Sequence, residues 1–233
     1  MLACHSSGRQ QLRRNGAPPS RVLTFLECKV DAAQTCKAAL RRYEQAMRQS
    51  AVAAQIQVLQ EVGRPERFAV LASSKRGSDV TRAEHQAAPQ LQALSASLVA
   101  PPDRHSNRDY SAAVGSPTPG GDAAVARPTG SAATDSASDI YVIIHIDVGP
   151  PDRASGEAAL TRLASDGRAS SGNTRFDLWQ QIERPNHFNI IAAWKNPAQY
   201  EQFVASPPGR TFRDVLAPML ASPYDARLFR SID

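Results

Sequence analysis

The strongest constraint on the fold is an internal repeat. Residues 54–75 align without a gap to residues 174–195, and six of the 22 pairs are identical. Composition alone would give roughly one or two matches. The identical pairs are Gln60/Gln180, Arg64/Arg184, Pro65/Pro185, Phe68/Phe188, Ala72/Ala192 and Lys75/Lys195. The sequence therefore predicts two copies of one structural unit, 120 residues apart.

Each copy shows the same succession of strand and helix patterns. In the second copy, alternation of side chains predicts strands over 140–148, 174–182 and 187–194, and a closing strand over 224–229. A helix is expected over 152–165. Another begins after Asn196-Pro197, is interrupted by Pro207-Pro208-Gly209 and resumes from Thr211. This β-α-β-β-α-β order is typical of a ferredoxin-like α+β unit.

The strands are apolar on both of their alternating faces. In the first strand of the second copy, Tyr141 and Ile143 alternate with Val142, Ile144 and Ile146. Helices cover only one face of the sheet in a ferredoxin-like unit, so the other apolar face needs a second sheet against it. We therefore expect the two copies to pack sheet to sheet within one chain, as an α/β-barrel pseudo-dimer.

Composition divides the chain into four parts. Residues 1–20 contain three arginines and no acid, and 111–138 are rich in Ala, Gly, Ser, Thr and Pro. These two stretches are predicted to be a disordered tail and a flexible linker. The predicted repeats are residues 21–110, which are the more degenerate copy, and residues 139–233.

Charge and cysteine content limit the partners and the compartment. The net charge of +5 is spread over the chain, and aromatic residues make up 6% of it. Neither feature is typical of a nucleic-acid interface, and no apolar stretch is long enough to span a membrane. Cys28 and Cys36 fall on apolar faces of a predicted strand and helix, so we expect buried free thiols. Free thiols favour a reducing compartment, and a cytoplasmic location is predicted.

The second copy also resembles a known family. The segments that carry the resemblance are YVIIHIDV, FDLWQQIERPNHFNIIAAWKNPAQYEQF, the Ser206-Pro207 break, FRDVLAPML and SPYDARLF. Together they cover nearly all of 139–233 and are similar to the antibiotic biosynthesis monooxygenase (ABM) superfamily of dimeric α/β-barrel proteins. The first copy follows the same plan, with Ser73-Ser74-Lys75 where the second has Ala193-Trp194-Lys195.

The resemblance implies oxygenation of small aromatic quinols or polyphenols by O2, with no flavin, metal or haem. A quinol anion can itself reduce O2, so the protein has to bind it, favour its deprotonation and exclude water. On this basis we predict three catalytic residues and three substrate-binding residues. The catalytic residues are Trp194, Tyr200 and His145, with the histidine as base, and the substrate-binding residues are Phe203, Arg213 and Trp179.

A second interpretation remains open from the sequence. A Trp that ends a strand and a Tyr that begins a helix are also common core residues. The histidine that often follows Ser-Pro in the family is Gln90 in the first copy and Pro208 in the second. The alternative is therefore a non-catalytic ligand-binding or scaffold protein of the same superfamily. The chain could be a monomer or a homodimer under either interpretation.

Overall fold

The computed structural model describes residues 20–50, 54–110 and 139–232. The predicted linker over 111–138, and all but the last residue of the predicted tail over 1–20, lie outside the described residues. The structure therefore bears on the two repeats and on how they pack together.

The two repeats have the predicted order of elements. The N-terminal unit consists of β1 (Arg21–Glu27), α1 (Ala33–Ser50), β2 (Gln55–Glu61), β3 (Arg64–Ser73), α2 (Gly77–Gln92) and β4 (Asp103–Asp109). The C-terminal unit consists of β5 (Ile140–Asp147), α3 (Arg153–Ala169), β6 (Asn173–Gln181), β7 (His187–Trp194), α4 (Pro197–Ala205), α5 (Pro207–Leu216) and β8 (Asp225–Ser231). Short 3₁₀ turns precede α1 and α3 and follow α2 and α5.

The eight strands close into one barrel in the order β1-β3-β2-β8-β5-β7-β6-β4. The closure depends on the last strand of each unit. β4 pairs with β1 of its own unit and with β6 of the other. In the same way, β8 pairs with β5 and with β2. The predicted α+β pseudo-dimer, packed sheet to sheet within one chain, is confirmed.

Hydrogen-bond register relates the units by a pseudo-twofold axis along the barrel. Leu23 pairs with Leu71, and the residues 120 positions later, Ile143 and Ile191, also pair. The last strands are equivalent at a spacing of 122, because Arg108 pairs with Gln180 whereas Arg230 pairs with Gln60. The two extra residues of the C-terminal unit therefore lie in its second helical segment.

This extra length changes the helical segment. In the N-terminal unit, α2 runs without interruption and even contains Pro89. In the C-terminal unit, Ser206 is extended and separates α4 from α5. The predicted break at Pro207-Pro208-Gly209 is wrong by a few residues, because Pro207 begins α5 and Ser206 is its N-cap. Proline is well tolerated in the first turn of a helix, where its missing N–H has no partner to lose.

Buried side chains form three cores. One lies between each sheet and its helices. The third fills the barrel between the two sheets and consists of Leu23, Leu59, Ala69, Leu71, Tyr141, Ile143, Trp179, Ile191, Ala193 and Phe229. One apolar face of each sheet therefore packs against the helices, and the other face fills the interior of the barrel.

The prediction of free thiols is wrong for two cysteines. Cys28 and Cys36 form a disulfide with their Cα atoms 6.6 Å apart, a usual separation for such a bond. The turn between β1 and α1 brings the two apolar faces together. The cytoplasmic location was predicted from free thiols, and the disulfide removes that argument. Among the described residues, no helix is both long and apolar enough to cross a membrane.

Candidate functional site

A cavity of about 100 Å³ lies between the sheet of the C-terminal unit and its helices. Its walls come from every helix of this unit and from all four of its strands. The lining residues are Val142, Ile144, Leu163, Phe176, Ile190, Ala192, Trp194, Tyr200, Phe203, Val204, Gly209, Phe212, Arg213, Tyr224 and Ala226. Nearly all of them are apolar or aromatic, which is typical of a pocket for a small organic ligand.

Three aromatic rings form one wall of this pocket. Trp194 ends β7, and its ring centroid lies 6.2 Å from that of Tyr200 and 5.0 Å from that of Phe203. The Asn196 side chain caps α4 by accepting a hydrogen bond from the Gln199 backbone N–H at 3.0 Å. This cap starts the helix directly after the strand. Tyr200 and Phe203 are three residues apart and so share one helix face towards Trp194.

The Trp194 indole supplies an unused hydrogen-bond donor. The side chain is completely buried, and within the described residues its Nε1 has no hydrogen-bond partner. A buried donor without a partner costs about 1–3 kcal/mol. Trp194 also lines the pocket, and an acceptor oxygen that reached its Nε1 would recover this cost.

Two further polar side chains in the pocket are Tyr200 and Arg213. Burial raises the pKa of Tyr200, nearby Tyr224 raises it further and the Arg213 charge lowers it. The phenol therefore stays protonated at neutral and moderately alkaline pH and remains a donor. The Arg213 guanidinium donates to the Val204 carbonyl oxygen at 2.7 Å through Nη1. The guanidinium group places its positive charge at the wall of the pocket.

The junction of α4 and α5 holds this arrangement together. The Ser206 hydroxyl donates to the Phe203 carbonyl oxygen at 2.6 Å and accepts from the Gly209 backbone N–H at 3.4 Å. A Cβ at Gly209 would lie 2.5 Å from the Phe203 carbonyl oxygen and 2.7 Å from that of Val204. Glycine at this position therefore allows α5 to approach the end of α4, and Arg213 is brought over the pocket.

Residues 139–215 match the family model of the antibiotic biosynthesis monooxygenases (ABM). The C-terminal unit is an ABM domain. The match includes β5, β6, β7 and α4 and therefore most of the pocket. No curated protein matches the sequence.

Similar solved structures span nearly the whole chain. A proposed monooxygenase from Fusobacterium nucleatum superposes with a TM-score of 0.71 at 11% identity over 93% of this chain and 94% of its own. One from Lactobacillus acidophilus has a TM-score of 0.69 at 10% identity, over 93% and 95% of the two chains. An anthrone oxidase-like protein has a TM-score of 0.61 at 10% identity and 91% coverage of both chains. At these identities the likeness establishes the fold, which is two ABM-like units in tandem.

Two of the predicted site residues lie outside the ABM pocket. Successive residues of a strand point to opposite sides of the sheet. Ile144 lines the pocket, whereas His145 lies on the barrel side of β5. Trp179 is likewise buried in the barrel core. The prediction that His145 is the base of this pocket and that Trp179 binds its ligand is therefore corrected. Trp194, Tyr200, Phe203 and Arg213 all line the pocket, as expected for one site.

His145 instead belongs to a histidine cluster at one end of the barrel, formed by His105, His145 and His187. The ring centroids of His105 and His187 lie 5.9 Å and 5.5 Å from that of His145. The His145 Nδ1 is 3.1 Å from the Asn189 Oδ1, and the His187 Nε2 is 3.4 Å from the Asp147 Oδ1. The sequence did not reveal this cluster, since His105 comes from the N-terminal unit and meets the others only on barrel closure.

Proposed function

We propose that the ABM domain is a monooxygenase that oxygenates a single-ring quinol with O2 and needs no bound cofactor. The observation that carries the proposal is the aromatic wall of Trp194, Tyr200 and Phe203 around the pocket, together with the unpaired Trp194 indole N–H. The anthrone oxidase-like and proposed monooxygenase structures of similar fold are consistent with it.

The size of the cavity limits the substrate to one ring. An engineered cavity of about 150 Å³ accommodates benzene, so a smaller pocket takes at most one ring, part of which has to lie at the open edge of the pocket. The present cavity is about 100 Å³. Tyr224, with 37% of its surface exposed, lies at the edge of the pocket and gives a substituent a route towards solvent.

The reaction balances without an external reductant. The quinol anion passes an electron to O2, and the resulting radical pair combines at a ring carbon. One oxygen atom replaces hydrogen on that carbon, and the other leaves as water. Both quinol hydroxyls become carbonyl groups, so the product is a hydroxyquinone. The protein has to bind the anion, orient it and keep water away from the intermediates.

The pocket residues provide these functions. Arg213 balances the charge of the quinol anion, and the Tyr200 hydroxyl donates to a substrate oxygen. The Trp194 N–H donates to the oxygen that gains charge during the reaction, as donors do in oxyanion sites. The titratable side chains that line the pocket are two tyrosines and an arginine. The quinol therefore binds after it has lost its proton, and turnover rises with pH towards the phenolic pKa, about 10.

Oxygen uptake by the full chain with single-ring quinols tests this proposal. We expect uptake above the spontaneous oxidation of the same quinol between pH 6 and 9. Tyr200→Phe should lower turnover about 3–10-fold, the equivalent of one hydrogen bond. The matched control is Tyr110→Phe, because the Tyr110 hydroxyl donates to Glu157 at 2.7 Å outside the pocket. Uptake equal to background across a panel of quinols would reject the enzyme.

The alternative is a binding protein of the same fold. Among the described residues that line the pocket, none is a histidine or a carboxylate, the side chains that most often act as a general base. This lining favours the alternative. Under this alternative, quinols bind and Tyr200→Phe weakens binding, but oxygen uptake stays at background. Measuring affinity under anaerobic conditions and uptake in air on one preparation separates the two functions.

A further inference from the structure

One wall of the ABM pocket is the ring of Phe176, which lies directly against the backbone of α3. Phe176 lines the pocket and is 4% exposed. A Cβ at Gly167 would lie 2.3 Å from both the Cδ2 and the Cε2 of this ring. Leu163, one helical turn before Gly167 on the same face of α3, lines the pocket as well. The Phe176 ring is therefore held between the pocket and the helix, at a position that a glycine in α3 makes possible.

A hydrogen bond ties α3 to β6 at the same place. The Arg168 Nε donates to the Phe176 carbonyl oxygen at 2.9 Å. In the N-terminal unit, the equivalent Arg48 donates through Nη2 to the carbonyl oxygen of the equivalent Ile56 at 3.1 Å. Helix and strand are thus joined by the same hydrogen bond in both units. The difference between the units at this place lies in the side chains.

The N-terminal unit fills the corresponding space from its helix. The position equivalent to Gly167 is Met47, which is completely buried, and the position equivalent to Phe176 is Ile56, which is 5% exposed. Both residues belong to the core between that sheet and its helices. A long side chain on the helix therefore accompanies a smaller residue on the strand. In the ABM domain, glycine on the helix accompanies a ring that borders the pocket.

A side chain at residue 167 would move the Phe176 ring into the pocket. Carbon atoms in contact are about 3.5–4.0 Å apart, so the ring would have to recede from a Cβ by at least about 1 Å. Protein interiors are close-packed, and the free space that adjoins this ring is the cavity that it lines. The Arg168 hydrogen bond opposes the other response, a shift of α3 away from the sheet, because it joins the helix to the Phe176 backbone.

We propose that Gly167 sets the depth of the ABM pocket through the position of the Phe176 ring and so determines the size of the ring that the pocket accepts. Gly167 is a positioning residue, since it is not among the residues that line the pocket. A cavity of about 100 Å³ leaves little margin for a shallower pocket. The quinol as ligand rests on the proposed function, whereas the depth of the pocket rests on the contacts of Gly167 and Phe176.

A crystal structure of the Gly167→Ala protein tests the geometry without a ligand. We expect the Phe176 ring to have moved by about 1 Å into the pocket, with the backbones of α3 and β6 in place, because ordinary contact with the new methyl group requires it. The cavity should be correspondingly smaller. An unmoved ring, with α3 displaced outward instead, would overturn the proposal.

Anaerobic binding of hydroquinone to the full chain measures the size limit. One methylene group in an apolar pocket changes affinity about 10–200-fold, so we expect Gly167→Ala to weaken binding about 10-fold or more. The matched control is Gly156→Ala in the same helix. A Cβ there would lie 2.6 Å from the Val148 Cγ1, but neither residue lines the pocket, and binding should be unchanged. Equal weakening by the two substitutions would mean a general effect on α3 and would contradict the proposal.

Substitution of Phe176 supplies the rescue. Adding Phe176→Ile, the residue of the equivalent position 56, to Gly167→Ala should restore hydroquinone binding, since the ring that was displaced is gone. Phe176→Ile alone should deepen the pocket and raise the affinity for methylhydroquinone relative to hydroquinone about 10-fold. No rescue, or an unchanged preference, would overturn the proposal. If no protein binds a quinol but the ring moves in the crystal, the proposed function fails and Gly167 still sets the depth of the pocket.

Discussion

The two units share a backbone plan but differ between sheet and helices. At the position of the completely buried Met47 in α1, the ABM domain has Gly167 in α3. A Cβ at Gly167 would lie 2.3 Å from the Phe176 ring, so glycine lets this aromatic side chain press against the helix. The N-terminal unit has the smaller Ile56 opposite its methionine. At this helix–sheet interface, the larger residue therefore lies on the helix in the N-terminal unit and on the strand in the ABM domain.

A similar exchange concerns the aromatic wall. The positions equivalent to Trp194, Tyr200 and Phe203 are Ser74, Val80 and Ala83, which are buried among the N-terminal core and its edges. The Ser74 hydroxyl donates to Asp79 at 3.0 Å and so ties the end of β3 to α2. The duplication has therefore kept a scaffold in one unit and an aromatic pocket in the other. Four experiments test this division.

The largest expected effect is on the shared core. Phe188→Ala removes a completely buried ring, and we expect the free energy of unfolding to fall by about 3–5 kcal/mol. Phe68 is equally buried at the equivalent position, so Phe68→Ala should cost about as much. Urea denaturation measures both. A much smaller loss for Phe68→Ala would mean that the N-terminal unit is packed more loosely than its structure indicates.

The next effect is specific to the ABM domain. Gly167→Ala places a methyl group against Phe176, and we expect a loss of about 1–3 kcal/mol in the free energy of unfolding from overpacking. Gly149→Ala is the control, because its Cβ would be no closer than 3.4 Å to its nearest neighbour, the Met219 carbonyl oxygen. Equal and small losses would show that Phe176 can move aside without cost.

A smaller effect distinguishes the two tryptophans. Within the described residues, Trp194 and Trp179 are both completely buried with an unpaired indole N–H, but only Trp194 lines the ABM pocket. Trp194→Phe should weaken quinol binding about 3–10-fold, the equivalent of one hydrogen bond, whereas Trp179→Phe should not. Calorimetric titration under nitrogen measures this. Equal weakening of quinol binding by the two substitutions would mean that the Trp194 indole N–H does not donate to the quinol.

The smallest expected effect is a dependence of stability on pH that arises in one unit only. Burial lowers the pKa of His187; Asp147 raises it, and His145, Arg184 and His105 lower it. Below about pH 6.5 the unfolded chain binds a proton that the folded chain does not yet bind. The contribution of His187 to the free energy of unfolding therefore falls as pH falls through this window.

His187→Gln should accordingly flatten the decline between pH 7.5 and 5.5 in urea denaturation. The exposed His85 provides the control, since His85→Gln should leave the slope unchanged. The equivalent of His187 in the N-terminal unit is Arg67, so that unit has no histidine at this position. An unchanged slope in His187→Gln would mean that the pH dependence comes from other groups.

Much of the fold follows from local patterns. The repeat at a spacing of 120 residues predicts two equivalent units, and strand alternation predicts their strands within a few residues. The pair Asn196-Pro197 predicts the start of α4, and the structure confirms the cap. The pocket residues Trp194 and Tyr200 follow from the same short stretch, because a strand end and a helix start that adjoin in sequence also adjoin in space.

Tertiary structure alone decided which side of each strand faces the helices. Val142 and Ile144 alternate with Tyr141 and Ile143, and both sets are apolar, so a period of two does not distinguish them. Barrel closure made the distinction and put His145 at the barrel end, beside a histidine from the other unit. The histidine cluster and the Cys28–Cys36 bond both depend on this packing. Each joins residues whose proximity is set by how elements pack against each other, which short-range sequence patterns do not record.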